Sequence, residues 1–200
     1  MKKMIVFMLC IGSLTGVAQR KAGNWLAGGG LEFSSTKTEQ GANNTVKDNR
    51  FSVVPNIGYF VGDNLAVGLN LSTTVSNSES GNTTVSSRTV SAGPIARYYL
   101  EVANSSLTFF GQAGIFIGSG TTTTEVGPIS NETSRSSFSV GITPGLAYFF
   151  NEHWAAELYL GGIGYSSVDP NKDVNADKSS SFSFGLNSLA PTGLGVRYHF

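Results

Sequence analysis

Ser137-Phe138-Ser139-Val140-Gly141-Ile142-Thr143-Pro144-Gly145-Leu146-Ala147-Tyr148 alternates from end to end. Apolar side chains occupy the even positions, and small or polar ones the odd positions. A period of two belongs to a β-strand, whose successive side chains point to opposite faces. Working outward, the same alternation predicts eight strands, at about 24–34, 50–61, 65–75, 88–100, 106–118, 137–149, 153–165 and 182–200. Nothing beyond the first 20 or so residues has the spacing of a helix.

The two faces differ in a way that decides the solvent. One carries Trp25, Leu31 and Phe33, then Leu65, Val67, Leu69 and Leu71, then Phe109, Ile115 and Ile117. The other carries Gly28, Gly30, Ser52, Asn56, Gly58, Ala66, Asn70, Ser139, Gly141 and Thr143. By parity only four charges fall on this second face, Glu32, Arg97, Glu157 and Arg197, and none falls on the apolar one. A soluble lipocalin-like barrel turns its apolar face inward, and its outer face then needs ~25–35 % charged residues to meet water. The whole chain of 200 residues has 13 %. A membrane barrel reverses the arrangement, with the apolar face on lipid and the small polar face filling a narrow lumen. The sequence therefore predicts an all-β, eight-stranded antiparallel up-and-down transmembrane barrel.

Aromatic residues and connections give the barrel two distinct ends. Trp25, Tyr59, Tyr98, Phe109, Tyr148, Trp154, Tyr198 and Phe200 lie at one end of their strands, and Phe33, Phe51, Phe138 and Phe182 at the other. Such rings mark the two lipid–water boundaries. Short turns near 61–64, 101–105 and 150–152 alternate with polar connections at about 35–49, 76–87, 119–136 and 166–181. In membrane barrels the short turns are periplasmic and the long loops external. Met1-Lys2-Lys3, the apolar run 4–11 and the small residues Gly16-Val17-Ala18 read as a cleaved secretory signal peptide over 1–18, which leaves 19–200 as the barrel domain. The single cysteine, Cys10, leaves with it, so no thiol chemistry is expected. Removing Lys2 and Lys3 from the 13 basic residues leaves 11 against 13 acidic, which offers no attraction for nucleic acid.

The even-numbered strands share a spacing: Pro55-Asn-Ile-Gly-Tyr59, Pro94-Ile-Ala-Arg-Tyr98 and Pro144-Gly-Leu-Ala-Tyr148, with Leu194-Gly-Val-Arg-Tyr198 as a variant. Proline lacks a ladder donor, so bulges or interrupted pairing are expected at these positions. The chain ends Gly195-Val196-Arg197-Tyr198-His199-Phe200. With the repeated strands, this ending resembles the small bacterial outer-membrane β-barrel family of the OmpA-barrel and OmpX type. The resemblance implies residence in outer-membrane lipid and a barrel-assembly signal at Gly195, Tyr198 and Phe200, read by the assembly machinery.

Three functional readings follow. A structural or surface-interacting barrel would present its loops to a ligand and keep its lumen plugged by polar residues. A transport protein would be a narrow pore, or open sideways for small apolar solutes. A secreted soluble ligand-binding barrel is the third. The four lumen charges cancel, so pairing is expected, with Glu157–Arg197 the best-defined pair and Arg97 joining it or reaching Gln112 and Glu32. The two histidines, His153 and His199, sit at the short-turn end and read as interfacial polar residues, not as a catalytic base. Asp169, Asn171, Asp173 and Asp177 alternate as in a calcium loop, but Val174 and Ser180 stand where Gly and Glu are wanted, so a solvated loop is the better reading. Nothing points to a cofactor.

Overall fold

A computed structural model describes residues 20–40, 44–103, 105–171, 178–184 and 193–200. The segment read as a leader and most of the calcium-like stretch (172–177) lie outside these residues. Every strand pairing is antiparallel. The segments are β1 (Trp25–Gln40), β2 (Asn44–Gly62), β3 (Leu65–Ser80), β4 (Thr83–Glu101), β5 (Leu107–Val126), β6 (Ile129–Phe149), β7 (Trp154–Tyr159), β8 (Ile163–Asp169), β9 (Ser179–Phe184) and β10 (Gly193–His199). Consecutive strands pair from β1 to β6, and both β7 and β8 pair with β6. β10 lies beside β7 and β9 beside β8, and β10 closes the ring on β1 from Leu26↔His199 to Leu31↔Leu194.

Ten strand segments thus replace the eight expected. The break between β7 and β8 has a local cause. Tyr159 pairs with Gly145 and Ile163 with Ile142, so Leu160, Gly161 and Gly162 face only Thr143 and Pro144. This extra residue is a β-bulge, and the Leu160 N–H donates to the Pro144 carbonyl at 3.0 Å. The other two prolines act alike. Each is in register on one side, Pro55 with Gly29 and Pro94 with Leu69. On the other side the pairing skips Val54–Pro55 and Gly93–Pro94. The missing N–H is turned each time toward the neighbour where the ladder pauses.

The polar connections at 76–87 and 119–136 are also not loops. β3 to β6 run 16 to 21 residues, whereas ~9–11 suffice to cross a membrane. Their polar halves remain paired to tight turns at Gly81-Asn82 and Gly127-Pro128, where both glycines hold φ near +57°. Thr121–Thr124 pair with Arg88, Ser87, Ser86 and Val85 of β4 and with Ser134, Thr133, Glu132 and Asn131 of β6. Cross-strand Ser/Thr contacts and solvated faces suit strands that stand clear of the lipid.

The predicted sidedness is present. Leu31, Leu69, Ile117, Ile142 and Leu194 are more than half exposed on the barrel's outer wall. Trp25 packs edge-on to Tyr59 at 5.1 Å, and Tyr198 packs against both Trp154 and Phe200 at 4.9 Å. Tyr98 and Tyr148 continue this belt, opposite Leu65 and Leu107. Phe33 and Phe51 face each other eight residues up β1 and β2. Eight residues span about 26 Å along a strand, close to the ~25 Å height of a lipid-facing apolar band.

Candidate luminal site

Three of the four predicted lumen charges converge. Glu157 on β7 accepts at Oε1 from Arg97 Nη1 of β4 and from Arg197 Nε of β10, each at 2.6 Å. Its Oε2 accepts from Arg197 Nη2 at 2.9 Å and from the Tyr159 hydroxyl at 2.8 Å. The remaining guanidinium N–H groups find Gln112 Oε1 (2.6 and 3.1 Å), the Tyr99 and Tyr159 hydroxyls, and Asn56 Oδ1. Arg97, Glu157 and Arg197 are each at most 1 % exposed. A buried charge left without partners is strongly destabilising, and here every guanidinium nitrogen of both arginines has a partner. The cluster carries a surplus of one positive charge. Glu32 is not part of it; it stands further up β1 and lines the open lumen above.

Small residues on neighbouring strands make room for this cluster. A Cβ on Gly28 would lie 2.9 Å from Arg197 Cα, and one on Gly195 would lie 3.0 Å from the Tyr159 ring. One on Gly145 would collide with the Phe110 ring. These glycines are required by their neighbours' bulk, because the lumen of a small barrel holds few large side chains at once.

Beneath the charges lies a second layer that the sequence reading missed. Leu26, Phe60, Tyr99, Phe110, Phe149 and His199 fill the short-turn end with Ala66, Ala147 and Ala155. His199 is not interfacial: it is 0 % exposed, with its ring 5.2 Å from Phe149, 5.8 Å from Phe60 and 5.9 Å from Tyr99. Neither imidazole nitrogen has a hydrogen-bond partner among the described residues. His153 is the partly exposed histidine, stacked on Tyr198 at 5.5 Å. Arg20 closes this end from outside the strands. It pairs with Glu101 at 2.7 Å, donates to Asn64 at 3.2 Å, and lies 4.7 Å above the Phe149 ring.

The missed layer did leave a signal. Tyr59-Phe60, Tyr98-Tyr99, Phe109-Phe110, Tyr148-Phe149 and Tyr198-His199 are ring doublets at corresponding strand ends. Neighbours in a strand face opposite ways, so each doublet sends one ring to the lipid girdle and one into the lumen.

Above the cluster the lumen opens into a cavity of about 320 Å³ lined by Glu32, Asn56, Asn70, Gln112, Phe116, Thr143 and Tyr159, among others. Of the calcium candidates, Asp169 and Asn171 are described. Asp169 ends β8 and accepts from the Asn171 N–H at 3.3 Å, while Asp173 and Asp177 fall outside the described residues. Among the described residues no group of three or more potential ligands could hold a metal.

Similar solved structures include Neisserial surface protein A, at 15 % identity and TM-score 0.44, covering 90 % of this chain and 98 % of that one. The N-terminal β-barrel domain of Pseudomonas aeruginosa OprF matches at 14 % and 0.42, over 90 % and 100 %. Pseudomonas aeruginosa OprG matches at 16 % and 0.42, over 90 % and 97 %. Among curated proteins none matches. The model of the outer membrane protein beta-barrel domain matches residues 4–200, nearly the whole length, and the chain belongs to that family of bacterial outer-membrane barrels.

Proposed function

We propose that this outer-membrane barrel has a structural or surface-interacting role and does not serve as an open pore. The observation that carries the reading is the double occlusion of the periplasmic half. The Arg97–Glu157–Arg197 cluster sits directly on a packed layer of Phe60, Tyr99, Phe110, Phe149 and His199. An ion crossing this half would have to displace paired charges from a dehydrated site, at a cost of several kcal/mol. The paired hairpins above the membrane are then the surface offered to partners. Export by the leader over 1–18 and insertion by the assembly machinery through Gly195, Tyr198 and Phe200 belong to the same reading. Planar-bilayer recording on chain 19–200, refolded in detergent, tests it. Silence is the expected result, and a steady open current overturns it.

A second reading, sideways passage of small apolar molecules, draws on one feature. Gly30 and Gly193 line both the luminal cavity and an apolar hollow on the lipid face bounded by Leu31, Phe33, Phe51 and Leu194. Only backbone thickness separates the two spaces there. Uptake of a small apolar dye into proteoliposomes, slowed by Gly30→Val, would favour this reading over the first.

A further inference from the structure

We propose that the cavity above the charge cluster is a blind binding pocket, open toward the cell exterior, for a small ammonium-bearing polar solute of the amino-alcohol class. The proposal rests on the occluded-barrel reading, which supplies the closed floor. Among the described residues, two acceptors in the pocket are open to a ligand. Asn70 is 8 % exposed, and its Oδ1 has no hydrogen-bond partner among the described residues. A buried carbonyl left in that state costs free energy that a donor on a ligand would recover. Among the described residues that line the pocket, Glu32 supplies the one carboxylate. Its side chain enters the lumen beside Gly193, where a Cβ would lie 3.1 Å from Glu32 Cγ.

The two acceptors stand at different heights, and the field below them differs accordingly. Asn70 is the ladder partner of Asn56, whose Oδ1 accepts from Arg197 Nη1, so it adjoins the cluster. Glu32 lies four residues beyond Gly28, the β1 partner of Asn56, toward the exterior. The floor beneath Asn70 carries the cluster's surplus positive charge, which repels a cation but tolerates a neutral hydroxyl. The ammonium end therefore belongs at Glu32 and a hydroxyl donor at Asn70. The guanidinium groups are turned to Glu157, Gln112, Asn56 and the tyrosines, so an anionic ligand finds their N–H groups already engaged. Phe116 and Tyr159 add aromatic wall for the ligand's carbon chain. A bare metal ion is poorly served, since a hard cation wants several protein oxygens and no group of three or more potential ligands occurs among the described residues.

The test is calorimetric titration of the refolded chain in non-ionic detergent with 4-aminobutan-1-ol, 1,4-butanediol and butyrate. The amino alcohol should bind about tenfold or more tightly than the diol, the worth of one charge-assisted hydrogen bond. Glu32→Gln, which preserves shape, should erase that preference, and Asn70→Leu should weaken both ligands. If Asn70→Leu fails to give a heat-modifiable barrel on gels, Gly193→Ala replaces it, since it crowds the Glu32 stem. Equal binding of amino alcohol and diol, no binding of either, or indifference to Glu32→Gln overturns the proposal. A silent barrel that binds nothing refutes this inference alone, whereas steady conductance refutes the occluded-barrel reading beneath it.

Discussion

The lower and upper halves of the lumen are enclosed by the same strands yet are built on opposite terms. At and below the level of Arg97, large rings and guanidinium groups pack together out of contact with solvent, and the room comes from Gly28, Gly145 and Gly195 on neighbouring strands. Above it, Glu32, Asn70 and Thr143 line a cavity of about 320 Å³ among the described residues. The difference teaches where this barrel stores stability and where it has latitude. The lower half is a core turned inward from a membrane wall, and the upper half is a vessel.

Breaking the lower half should have the largest effect. Glu157→Ala leaves two guanidinium groups facing each other without a counter-charge and should cost about 3–5 kcal/mol. The urea midpoint of the refolded barrel reads this, and Glu32→Gln should leave that midpoint nearly unchanged. Similar sensitivity of the two would erase the contrast between the halves. Next comes the wall: Leu69→Arg or Ile142→Arg should cost about 2–4 kcal/mol near the bilayer midplane, measured in lipid vesicles. Thr122→Arg, on the projecting hairpin, should fold as the parent does.

A third comparison sets two glycines against each other. Gly28→Ala drives a methyl into the Arg197 backbone and should cost about 1–3 kcal/mol through overpacking. Gly111→Ala meets no atom within 4 Å and should be close to neutral. The smallest effect belongs to the hairpin tips. Replacing residues 122–131 by a two-residue turn should leave the boiling-dependent gel shift intact, because the pairing that holds the membrane band lies below them. Loss of that shift would show that the projecting hairpins help hold the ring closed.

The wall was more legible than its filling. The alternation around Ile142 placed the lipid face and the rings Trp25, Tyr59, Tyr98, Tyr148, Trp154 and Tyr198 on it, because each depends only on strand parity. The number of segments was not legible, since a bulge at Pro144 appears only when Leu160–Gly162 is set against its partner strand. The extent of the hairpins was hidden too. Polar stretches such as Thr121–Thr124 look like loops until pairing on both sides shows them to be strands.

By itself the sequence determined which side of each strand meets lipid, because a period of two and the placement of charge leave only one side able to do so. It also restricted the lumen charges to four residues. The sequence offered Arg97 a place with the Glu157–Arg197 pair or with Gln112 and Glu32; tertiary structure alone decided that it would reach both Glu157 and Gln112 while Glu32 stayed apart, and that His199 would be sealed among aromatic rings. The physical reason is that parity fixes the direction of a side chain but not its height. Height follows from the stagger between strands distant in sequence, and it decides which inward groups meet in one layer and which are left facing open space.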